Sequence, residues 1–164
     1  RLHLVMKTST DQSGRELGAL LQDQLRNIGI DLKLESYEFA TFYTDISKGN
    51  FDLFSLRWIG GNEDPDIFEY AFRSDKIPPA GANRGGFNNA EADKLIQAGL
   101  ATANLEERFA AYDRIQHLLN AELPYIHLWY LDVIAVHSKR LLNVQLPPDG
   151  SYGFLREASL RQHD

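Results

Sequence analysis

The hydrophobic pattern of this chain changes period several times, and each change marks an element. "LHLVM" (2–6) is an apolar run of strand length. In "SGRELGALLQDQLRNIG" the positions Leu17, Leu20, Leu21, Leu25 and Ile28 recur at helical spacing. Ser13 and Glu16 have the spacing of a capping box, and Gly29 stands where a left-handed cap ends a helix. "IDLKLES" (30–36) alternates, with Ile30, Leu32 and Leu34 on one face and Asp31, Lys33 and Glu35 on the other. A short helix is expected next, with Phe39, Phe42, Tyr43 and Ile46 on one stripe and Gly49 at its end. "FDLFSLRW" (51–58) is apolar on both faces, the pattern of a central strand in a parallel sheet.

The order is therefore βαβαβ, an α/β fold with a parallel sheet flanked by helices and joined by right-handed crossovers. The loops after the strands then gather at one edge, where open α/β sheets bind ligands. They are "KTST" (7–10), "SYE" (36–38) and "IGGNEDPD" (59–66). Residues 73–88 are rich in Pro, Gly and Asn and read as loop. Two helices follow, one from about Ala90 to Ala101 capped by Asn89, the other capped by Asn104 with Glu107 three residues on. The second carries Phe109, Tyr112, Ile115 and Leu119 and stops before Pro124. "YIHLWYLDVIAVHS" (125–138) has the composition of a long strand, and the chain breaks into turns thereafter.

Composition narrows the function classes. With 43% hydrophobic and 24% charged residues in 164, the chain has the balance of an ordinary globular domain. A net charge of -6 argues against a nucleic-acid surface, which needs clustered Lys and Arg. No apolar run approaches the ~20 residues of a membrane span. Zero cysteines exclude disulfides and thiolate metal sites. The chain opens directly into a strand, so any targeting segment is expected upstream.

Candidate chemistry concentrates in "RWIGGNEDPDIF" (57–68). Trp58 ends the predicted strand, either as a core aromatic or as a wall of a cleft, with Tyr37, Phe39 and Phe87 as further wall candidates. Gly60 and Gly61 would let backbone N–H groups approach a ligand, or simply turn the chain. The carboxylates Glu63, Asp64, Asp66 and Glu69 lack the calcium-loop pattern. Asp64 and Asp66 flank Pro65 and read instead as negative charge at the start of a helix over "IFEYAF". A hydrolase built on these carboxylates would need two of them facing across a substrate. The five histidines show no metal spacing, and no nucleophile-elbow or phosphate-loop motif occurs.

The ordered set of signals resembles the C-terminal lobe of family 5 extracellular solute-binding proteins, the peptide-, nickel- and oligosaccharide-type receptors of ABC importers. The resemblance rests on Gln24, Leu25, Ile28, Gly29, Ile30, Phe42, Gly49, Phe51, Asp52, Trp58, Asp64 and Pro65. It continues through "NRGGFNNAEADKLI" and "NLEERFAAYDRIQHLLNAELPYIHLWYLDVIAVHSKRL". It implies a periplasmic-binding-protein-like lobe over 1–140 and a return segment over 141–164. From about Leu142 onward that segment would lack its normal packing partner.

The same resemblance implies a non-enzymatic, periplasmic or extracytoplasmic receptor without cofactor or metal. Its partners would be a small solute such as a peptide, an ABC permease met by the full-length protein, and an N-terminal lobe missing from this chain. No nucleic acid and no membrane span enters this picture. A ligand-sensing domain of a transcription regulator is the alternative, which an upstream helix-turn-helix would reveal. The implied ligand residues are Trp58, Gly60, Gly61, Asn62, Tyr37, Phe39, Arg57 and Arg84. Two departures stand out. Peptide binders of the family carry an Asp three residues after the Trp for the α-ammonium, and some carry an Arg three residues before it for the carboxylate. Here those positions are Gly61 and Ser55, with Arg57 and Arg84 as possible substitutes.

Overall fold

β1, Leu2–Ser9, is the strand around which the first part of the chain is organised. The computed structural model describes residues 2–58, 64–148 and 150–161. α1, Gln12–Asn27, carries the chain from β1 to β2, Ile30–Tyr37. α2, Phe39–Ser47, carries it on to β3, Leu53–Phe54. The sheet is parallel with order β2-β1-β3, so β1 is central and β3 lies on its far side. The expectation of a central strand over 51–58 is corrected here. Only Leu53 and Phe54 pair with β1, opposite Met6 and Lys7. Apolar character on both faces reflects packing of the Phe51 and Phe54 rings, 4.7 Å apart, rather than ladder partners on both sides.

The pleat divides β1 between two layers. Thr8 and Leu34 share the face on which α1 lies, since a Cβ on Gly18 would sit 3.1 Å from Leu34 Cδ2 and 3.6 Å from Thr8 Cγ2. Lys7 points the other way and meets Asp45 of α2. The apolar positions closing these layers, Met6, Leu32, Phe42 and Ile46, are almost wholly excluded from water. Each is worth about 1.5–3 kcal/mol of transfer free energy relative to exposure.

α1 begins two residues earlier than the Ser13–Glu16 pattern suggests. The cap is Asp11, whose Oδ1 accepts the Gly14 N–H at 2.9 Å. A carboxylate at this place also complements the helix dipole, so it outcompetes a serine already inside the helix. Glu16 accepts instead from the Gln12 side chain. At the other end Gly29 has φ +85, the left-handed cap residue expected from the sequence.

α3, Ile67–Phe72, precedes the loop, and α4, Ala90–Ala101, and α5, Leu105–Glu122, follow it. Both long helices start where the sequence placed them. Asn89 Oδ1 accepts from Glu91 and Ala92, and Asn104 Oδ1 accepts from Glu106 and Glu107. Glu107 does not complete a capping box, because its carboxylate accepts a hydrogen bond from the Thr102 hydroxyl at 2.7 Å. Asp66 stands at the N-cap of α3 without capping it, its carboxylate held by Arg108 at 2.9 Å. Phe72, Ile96, Tyr112, Ile115 and Leu119 form a second core here. Tyr125 joins it to the sheet through edge contacts with Phe72 and Phe54.

All of this belongs to one compact unit, Arg1–Arg57 with Pro65–Tyr125. The second unit is Trp58–Asp64 with Ile126–Asp164. In it β4, Leu141–Leu142, pairs antiparallel with β5, Ser159–Leu160, and Tyr152–Arg156 form a 3₁₀ turn between them. The strand expected over 125–138 does not form among the described residues. A strand exists only through a ladder partner, and this stretch has none here, so its propensity is not expressed. No described residue between Ile126 and Arg161 is buried.

Candidate ligand-binding edge of the sheet

The parallel register builds the most polar feature of the sheet at the C-terminal ends of β1 and β2. Lys7 lies opposite Glu35, and Ser9 opposite Tyr37. Residues two apart share a face, so Lys7, Glu35 and Tyr37 point together toward α2. The Lys7 ammonium donates to Glu35 Oε2 at 2.6 Å and lies 3.2 Å from Asp45 Oδ2. Lys33 approaches the other Glu35 oxygen at 2.8 Å, and the Tyr37 hydroxyl donates to Oε2 at 3.1 Å. The Lys7 ammonium also sits 4.7 Å from the Tyr37 ring centroid. On the opposite face Thr8 and Ser36 share a hydrogen bond of 2.8 Å.

This arrangement fixes charge. Hydrogen bonds from Lys33, then Lys7, then Tyr37 pull the Glu35 carboxyl down to about 2. The Glu35 hydrogen bond, working against burial and helped by Asp45, holds the Lys7 ammonium well above the ordinary lysine range. Both groups stay ionised throughout the neutral range, unlike a general acid or base poised near its working pH. The cluster clamps two strands and a helix together.

A second group begins on α2. Phe39 and Tyr43 have ring centroids 5.9 Å apart and are 54% and 39% exposed. The buried Arg84 donates from Nη2 to the Tyr43 hydroxyl at 3.0 Å, with its guanidinium carbon 5.0 Å from the same ring. The loop that delivers Arg84 is set by its neighbour. Asn83, 1% exposed, donates to the Arg73 and Phe87 carbonyls and accepts the Phe87 N–H. The Tyr125 hydroxyl donates to Ala82 O one residue earlier.

Of the residues singled out in the sequence, Tyr37 thus joins the Lys7 cluster, and Phe39 and Arg84 meet through Tyr43. Arg57 is exposed and adds to the field that lowers the Asp11 carboxyl, behind the stronger hydrogen bonds from Ser9 and Gly14. Trp58 is 48% exposed and belongs to the second unit. Gly60, Gly61 and Asn62 lie outside the described residues, as does Glu63. Lys7, Asp45 and Tyr43 were not anticipated. Pairing "VMKTS" with "DLKLESY" in register would have brought Lys7 to Glu35, but the register is not written in either segment alone. Among the described residues no cluster of His, Asp and Glu has the makings of a metal site. None of the described helices is long and apolar enough to cross a membrane.

Comparison with known proteins places this geometry. The family model for bacterial extracellular solute-binding proteins, family 5 Middle, matches residues 2–78, the whole of the sheet and its two crossover helices. Residues 2–78 belong to family 5 of the bacterial extracellular solute-binding proteins. A probable D,D-dipeptide-binding periplasmic protein of Escherichia coli (strain K12) is 31% identical over 123 residues, which are 74% of this chain and 24% of that protein. The crystal structure of NikZ from Campylobacter jejuni, in complex with Ni(L-His), matches with a TM-score of 0.77 at 30% identity, over 96% of this chain and 33% of that one. A dipeptide-binding protein from Pseudoalteromonas sp. SM9913, in complex with Met-Leu, matches with a TM-score of 0.68 at 27% identity, over 75% and 25% of the two chains. The chain therefore spans only about a quarter to a third of the length of these three proteins. Its fold class is that of a periplasmic binding protein, with the parallel sheet read from the sequence.

Proposed function

We propose that this chain forms the C-terminal lobe, residues 1–140, of a two-lobed solute receptor that feeds an ABC importer, with 141–164 as the segment returning to the other lobe. The receptor works outside the cytoplasmic membrane, captures its solute without chemistry and passes it to a permease. The observation that carries this reading is the family 5 match over the same three-stranded unit that presents Tyr37 and, at the start of its second crossover helix, Phe39. The relatives named for dipeptides support a peptide-like solute, and the relative that holds Ni(L-His) supports a small chelate as the other member of the class.

In this reading Trp58, Tyr37 and Phe39 line the solute, Gly60, Gly61 and Asn62 offer main-chain and amide contacts, and Arg57 and Arg84 supply positive charge. A charged solute terminus needs an opposite charge when it leaves water. Position 61 is glycine and position 55 serine, so neither supplies one. The receptor reading is tested by purifying the full-length protein, unfolding it gently and identifying released small molecules by mass spectrometry. A stoichiometric solute is expected. Release of nothing, from protein produced in a rich medium, argues against it.

A further inference from the structure

Tyr37 is held from two directions by the same two neighbours. Its single O–H is directed at Glu35 Oε2, 3.1 Å away, and Glu35, held ionised, can only accept. That same oxygen receives the Lys7 ammonium at 2.6 Å, and the ammonium lies 4.7 Å from the Tyr37 ring centroid. Lys7 in turn is anchored to α2 through Asp45 at 3.2 Å. Lys7 is itself 9% exposed, so this anchoring is shielded from solvent and salt. Tyr37 is only partly buried, so the residue keeps some surface open to solvent.

Two consequences follow from the inventory of donors and charges. The phenol has no second proton to give to a carboxylate or carbonyl. The ring already has an ammonium beside it, so a further cation against it meets like charge, whereas an apolar or aromatic group gains contact area and a suitable edge. We propose that Lys7 is a positioning residue that fixes Tyr37, so that Tyr37 offers its ring and not its hydroxyl donor to an apolar or aromatic part of the solute. This rests on the reading that Tyr37 lines the solute site.

The test uses the full-length protein labelled with 3-fluorotyrosine and read by fluorine NMR without solute, the Tyr37 resonance being assigned by its loss in Tyr37→Phe. Lys7→Met is expected to shift and broaden that resonance, and Lys7→Arg to keep most of it in place. An unmoved resonance in a folded Lys7→Met protein overturns the positioning role. Affinity is then measured with the dipeptide Met-Leu. Tyr37→Phe is expected to bind within about twofold of the unaltered protein and Tyr37→Ala roughly tenfold more weakly. Lys7→Met is expected to lose about threefold alone and nothing further on a Tyr37→Ala background. A tenfold loss in Tyr37→Phe overturns the ring-only contact. Unchanged affinity in Tyr37→Ala removes Tyr37 from the site while leaving the receptor reading intact. If the unaltered protein does not bind Met-Leu, the peptide reading fails, and the fluorine spectra alone decide the positioning role.

Discussion

Val5 gives its main-chain N–H to the Asp52 carboxylate at 2.7 Å, and Asp52 gives its own N–H to the Val5 carbonyl at 3.1 Å. The pair adds a side-chain rung just before the two ladder pairs that join β3 to β1. An edge held by so few pairs depends on that rung. Asp52→Ala is expected to destabilise the protein by about 1–2 kcal/mol, and Asp52→Asn, which keeps an acceptor, by less. Urea unfolding measures both. An Ala variant no weaker than the Asn variant would show that the carboxylate contact contributes nothing.

That pair also shows what the sequence discloses. Asp52 was visible as part of a "G-x-F-D" pattern, but its partner was not, because Val5 contributes only backbone. Helix caps at Asn89 and Asn104 were legible because a cap is a local event, settled within four residues. The Lys7 cluster was not, because it needs the register of two strands and the position of a helix. The stretch 125–138 failed for the opposite reason. Its composition was plain, but strand propensity describes a fit to a neighbouring strand, and propensity supplies no neighbour.

The Glu35 carboxyl, lowered from 4.5 to about 2, makes a pH prediction with a definite sign. A carboxyl lowered on folding adds stability that is present above its unfolded value and lost as pH falls toward the folded one. The stability difference between the unaltered protein and Glu35→Gln is therefore expected to stay level above pH 4.5 and to shrink between there and about pH 2. Lys7 is raised, so its share is present below 10.5 and fades only in more alkaline solution. Denaturant midpoints across this range test both limbs. A difference that grows in acid contradicts the assignment.

Gly99 of α4 packs directly against Tyr112 of α5. A Cβ there would lie 3.0 Å from Tyr112 Cε2 and 3.1 Å from Cζ. Alanine normally helps a helix by about 1 kcal/mol over glycine. Here it would push a buried ring that packs against Phe68, whose centroid is 5.7 Å away. Gly99→Ala is expected to destabilise by about 1–3 kcal/mol despite the better propensity. Thermal unfolding of Gly99→Ala beside Gly99→Ala/Tyr112→Leu separates the two effects, because removing the ring should return the propensity gain. A more stable single variant would mean that the ring moves aside freely.

Asn83 carries the loop that presents Arg84. Its amide nitrogen donates to the Arg73 carbonyl at 3.0 Å and the Phe87 carbonyl at 2.7 Å, and its oxygen accepts the Phe87 N–H at 2.9 Å. All three partners are main-chain groups, and the side chain is 1% exposed, so water cannot readily replace it. Asn83→Ala is expected to cost about 1–3 kcal/mol for the groups left without a partner. Asn83→Asp tests the donor end alone. It keeps the acceptor for Phe87 N–H but sets a carboxylate against two carbonyl oxygens, so it should be at least as damaging as alanine near neutral pH. In acid, a protonated carboxyl can donate to one of those carbonyls, and the Asp variant should recover relative to Ala. If Arg84 serves the solute as proposed, solute affinity should fall with stability in both, because Arg84 follows directly in the chain and reaches Tyr43 from this loop. An Asn83→Asp protein as stable as the unaltered one at neutral pH would mean that the loop holds its shape without those two donated hydrogen bonds.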